Sequence, residues 1–118
     1  MIAIYKRHSE KVSIKKLTAM EVGQLYSEVR EFYNRANVNL SYMLTCSALA
    51  ELIKTLSKKF NEMQWNPKES KNLTISRTQA LALCVAAEDM DVNSLSFKIS
   101  MLIKQQLLGQ HYDILRKS

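Results

Sequence analysis

Apolar positions along the chain follow two rhythms. Near the start, Ile2 and Ile4, then Val12 and Ile14, alternate with other residues on either side of Arg7-His8-Ser9-Glu10. That is the period-2 pattern of two short strands joined as a hairpin. The connecting stretch lacks Gly, Asn and Pro, so a basic extended arm that orders only on a partner fits the same residues. From Leu17 onward the period becomes helical. Thr18 followed three residues later by Glu21 is a capping box, with Leu17 and Val22 placed as a hydrophobic staple. Val22, Leu25, Tyr26, Val29, Phe32, Tyr33 and Ala36 then form one stripe, which predicts a first helix ending near Asn34 to Asn37.

The most specific pattern comes next. Tyr42, Cys46, Leu49, Ile53, Leu56, Phe60 and Met63 alternate spacings of four and three, an a/d seam that predicts a second helix from about Leu40 to Met63. Leu44, Ala48 and Leu52 widen the stripe in its N-terminal half, so that half is expected deeper in the core than the half bearing Lys54, Lys58 and Lys59. Trp65-Asn66-Pro67 stops the helix, and the polar run Lys68 to Asn72 reads as an exposed connection. Ser76 with Gln79 repeats the capping box and opens a third helix near Arg77. Its interior, Ala80 to Ala87, is apolar on every side, which predicts the central, most buried helix. Asp91, Asn93 or Ser94 can cap a fourth helix carrying Leu95, Ile99, Leu102, Ile103 and Leu107 on one face, with Gly109 as its stop. A short terminal helix, His111 to Arg116, can follow.

These elements predict a mainly α protein: a four- or five-helix bundle with an N-terminal basic hairpin or arm, divided as residues 1–17 and a single helical domain over 18–118. Composition narrows the class further. Two Gly and one Pro in 118 residues leave too few for the turns of a β-sandwich or the phosphate loops of nucleotide-binding α/β folds. The two cysteines, Cys46 and Cys84, stand alone in apolar stretches, as buried free thiols of a reduced, cytoplasmic protein do. The longest apolar run is eight residues, well short of a membrane span.

Charge changes the picture at one end. Of the net +6, residues 1–20 supply most, with Lys6, Arg7, Lys11, Lys15 and Lys16 against Glu10 alone. A clustered positive field of this kind suits phosphates. The segment Lys11 to Leu17 followed by two helices is similar in outline to ribbon-helix-helix proteins, whose basic strand pairs across a dimer and enters the major groove. The third and fourth helices likewise resemble a helix-turn-helix in outline. However, the candidate recognition helix opens Ser94-Leu95-Ser96-Phe97-Lys98 with one cation, where base and phosphate contacts want several.

Candidate chemistry is sparse. Gly23 and Gly109 are isolated, so no glycine-rich phosphate loop or nucleophile elbow exists. His8 and His111 lack metal-ligand spacing. Asp89, Asp91 and Asn93 imitate an EF-hand start, but Ser94 and Ser100 stand where its glycine and bidentate glutamate belong. Glu28 and Glu31 share a helix face, and with Arg35 four residues beyond Glu31 they read as surface charge rather than acid/base machinery. No catalytic residue, metal, cofactor or small-molecule substrate is therefore expected. Phe60, Met63 and Trp65 fall where the sequence turns polar, and form the candidate partner interface. The expected function is a non-enzymatic interaction module, an oligomer-forming adaptor or assembly subunit. The alternative is a nucleic-acid binder using Lys6, Arg7, Lys11, Lys15 and Lys16.

Overall fold

The computed structural model describes residues 11–117, and the side chains of residues 11–107. The elements follow as β1 (Val12–Leu17), α1 (Ala19–Ala36), a 3-10 turn (Leu40–Tyr42), α2 (Met43–Met63), β2 (Lys71–Ile75), α3 (Arg77–Ala87) and α4 (Leu95–Lys117). The protein is mainly helical, with a two-stranded antiparallel sheet.

Both capping boxes set helix starts. Thr18 Oγ1 accepts from the Glu21 N–H at 3.2 Å while the Glu21 carboxylate accepts from the Thr18 N–H at 2.9 Å. Ser76 and Gln79 make the same exchange at the start of α3, both at 3.1 Å. Each pair satisfies N–H groups that the helix itself leaves without acceptors. α2 then runs back along α1. Gly23, near the start of α1, faces Phe60, near the end of α2, so closely that a methyl group there would lie 2.8 Å from Phe60 Cε1. At the other end Phe32 meets Tyr42 edge to face, with ring centroids 5.4 Å apart. Cys46, Leu49, Leu52, Leu56 and Met63 are buried in this packing, so most of the heptad seam is used inside the molecule.

The sheet joins distant parts of the chain. Val12, Ser13 and Ile14 of β1 pair with Ile75, Thr74 and Leu73 of β2, and Leu17 pairs with Lys71. The register shift leaves one extra residue on β1, a bulge at Lys15-Lys16. Lys16 adopts φ 60° and its N–H donates to Asn72 Oδ1 at 3.1 Å. The bulge turns Leu17 to the same side as Val12 and Ile14, and all three enter the core with Leu73 and Ile75. Gln106 of α4 donates to the Ser13 carbonyl at 3.1 Å, tying the strand to the last helix.

Five expectations need correction. The exposed connection ends earlier than expected, because Lys71 and Asn72 already belong to β2; the alternation Leu73, Ile75 is its signal. Second, Val12 and Ile14 find their partner across the chain in β2; Ile2 and Ile4, the other half of the expected hairpin, lie outside the described residues. Leu44 does not widen the buried stripe but is exposed, since it lies on the side of α2 that lines an open groove with Leu81 and Val85 of α3. Fourth, α3 has, as expected, the largest buried share of the helices among the described residues, six of eleven, yet it is not covered on every side: Leu81 and Val85 are exposed, because α2 and α4 cover only part of its circumference. Finally, Gly109 does not stop α4, which continues to Lys117 as one helix. A helical glycine is tolerated where flanking residues propagate the hydrogen-bond ladder.

Candidate interaction site

One side of α3 is open to solvent. Thr78, Leu81, Ala82 and Val85 of α3 line a shallow uncharged groove with Leu44, Thr45 and Ala48 of α2. Leu44 is 86% exposed, Leu81 46% and Val85 37%. Leu40 and Met43, within one turn of Leu44, are exposed as well. Leu81 and Val85 stand one turn apart along α3, and Glu88 follows three residues later, so the exposed stripe is apolar in its middle and acidic at its C-terminal end.

The residues expected to form a partner surface do not come together. Met63 is 1% exposed and belongs to the core, Phe60 is half-buried against α1, and Trp65 is 90% exposed just beyond α2. Of the basic set, Lys11, Lys15 and Lys16 are exposed on or beside β1, while Lys6 and Arg7 lie outside the described residues. β1 pairs with β2 of its own chain, where the ribbon-helix-helix outline has the basic strand pair across a dimer.

At the start of the candidate recognition helix stands a residue that sequence reasoning assigned to the surface, Glu28. The Glu28 carboxylate, on α1, accepts from the Ser96 N–H at 2.7 Å, the Ser96 hydroxyl at 2.6 Å and the Leu95 N–H at 3.2 Å, and Gln24 steadies it at 3.2 Å. Ser94 Oγ accepts from the Phe97 N–H at 3.1 Å. The first turn of α4 is thus fully capped, and Ser96 is entirely buried. The carboxylate puts negative charge at the end of the helix where base and phosphate contacts would be made. Burial raises the Glu28 pKa, but the hydrogen bonds from Ser96, Gln24 and Leu95 outweigh it and hold the carboxyl below its usual value. No signal in the sequence could have revealed this partnership, since Glu28 and Ser96 lie 68 residues apart.

The acids once compared with a cation loop are structural too. Asp89 accepts from the Tyr42 hydroxyl at 2.9 Å, and Asp91 from the Asn93 N–H at 2.8 Å. Among the described residues no three metal-ligating side chains cluster. Cys46 and Cys84 are buried free thiols, the latter donating to the Ser100 carbonyl at 3.7 Å. No helix is long and apolar enough to cross a membrane, among the described residues. No protein-family model, curated protein or solved structure matches the chain.

Proposed function

We propose that this protein is a non-enzymatic helical interaction module, an oligomer-forming adaptor or assembly subunit of the cytoplasm, whose four helices form a bundle with one face left for a second copy. The supporting observation is the exposed stripe of α3 flanked by Leu44. A helix apolar around its whole circumference is stable in water only when every side is covered, and α1, α2 and α4 leave one side of α3 open. A second copy is the occupant that fits. The stripe is uncharged at its centre, so a copy meeting it about a two-fold axis covers apolar surface with the same apolar surface.

Sedimentation or light scattering tests the reading. The wild-type chain is expected to form a dimer at micromolar concentration, and Leu44→Asp, at a position too exposed to affect folding, to shift it to monomer; Leu81→Gln, across the groove from Leu44, should weaken association to a lesser degree. A wild-type chain that stays monomeric at high micromolar concentration would overturn it. So would a dimer indifferent to both substitutions.

A further inference from the structure

The geometry points to a second binding site, in the groove between α1 and α2, for an anion bearing a flat aromatic group: a nucleotide, free or within a single strand. The groove encloses about 670 Å³, within the range of small-ligand sites. Its shape follows from residue size. Ala50 and Ser57 on α2 are small where Tyr26 and Tyr33 stand on α1, so the two helices leave an open cleft floored by Ala50 and Ile53. Among the described residues, three cations converge on it, Arg30 from α1 and Lys54 and Lys58 from α2, and no carboxylate lines it.

The nearby acids are turned elsewhere. Glu28 caps α4, and neither Glu31 nor Glu51 reaches the groove. The lining is therefore net positive, with Glu51 and Glu62 outside it within a helical turn of Lys54 and Lys58, beside apolar walls that lower the local dielectric. Arg30 is already placed: its Nη1 donates to the Tyr26 hydroxyl at 2.6 Å and its guanidinium carbon lies 5.8 Å from the Tyr26 ring centroid. Ser57, Asn34 and Asn61 add neutral hydrogen-bonding groups. Cations for a phosphate, tyrosine rings for a base and amides for its edge are the parts nucleotide recognition uses. Inorganic phosphate alone would leave the tyrosine and Ile53 surface unused. The groove shares no residue with the α2–α3 face, so this inference stands apart from self-association.

Calorimetric titration of the full chain with adenosine monophosphate, adenosine, inorganic phosphate and an oligodeoxyadenylate of about ten nucleotides tests it, the strand spanning the site with length to spare. The mononucleotide is expected to bind more tightly than adenosine or phosphate, and Lys54→Ala/Lys58→Ala to weaken it at least about tenfold as two phosphate-facing charges are lost. Lys68→Ala, in the exposed connection, should change nothing. Binding of the strand with none of the mononucleotide supports the same site and identifies a strand as its source. Failure of both to bind overturns the inference. It is also overturned if phosphate binds as tightly as the nucleotide, or if the double substitution has no effect.

Discussion

At the residue scale, Glu28 shows how one side chain can join two helices distant in sequence. Its carboxylate satisfies two backbone N–H groups and a buried hydroxyl at the start of α4. Hydrogen bonds to a charged group contribute about 1.5–3 kcal/mol each to stability, less where water has access, and an orphaned buried donor costs as much again. Glu28→Ala is therefore expected to lower unfolding free energy by about 2–3 kcal/mol in urea denaturation at neutral pH. The pH dependence has a definite sign. Because the folded carboxyl sits below its ordinary value of 4.5, its contribution is complete above that pH and is lost as pH falls through the lower folded value. The difference between wild type and Glu28→Ala should shrink on acidification below pH 4.5. An undiminished gap at acid pH would show that packing, not the ionised cap, accounts for the loss.

At the element scale, local pattern and tertiary placement part company at identifiable points. The starts of α1 and α3 were legible because a capping box is made of neighbours in sequence. β2 was not, since five residues with two apolar positions carry too little signal until β1 lies beside them. The exposed stripe of α3 was hidden for the opposite reason: an apolar circumference announces burial but not which neighbour supplies it. Gly23 belongs here as well. Alone it reads as a weak point of α1; against Phe60 it is the gap that lets α2 close on α1. Glycine to alanine in an open helix gains about 1 kcal/mol. Here Gly23→Ala should show no net gain in the wild type and the full ~1 kcal/mol only in a Phe60→Ala background. A double-mutant cycle by denaturation measures the coupling, and simple additivity would refute the close approach.

At the scale of the whole molecule, the α2–α3 face and Trp65 make competing claims on a partner. Trp65 lies beyond the end of α2, about 30 Å along the helix from Leu44. It is the only tryptophan, so its fluorescence reports on that end alone. Iodide should quench it equally in the assembled wild type and in monomeric Leu44→Asp; protection on assembly would move the interface to the Trp65 end of α2. The sequence by itself determined the helical class, the boundaries of α1 and α3 and most of the core, because capping and periodicity act among residues a few positions apart. Tertiary structure alone decided that β1 finds β2, that Glu28 closes α4, that Met63 is core while Leu44 is surface, and that Tyr26, Arg30, Lys54 and Lys58 share one groove. Each of those depends on how two distant segments meet, and no local rhythm of polar and apolar residues encodes the angle and register at which they do so.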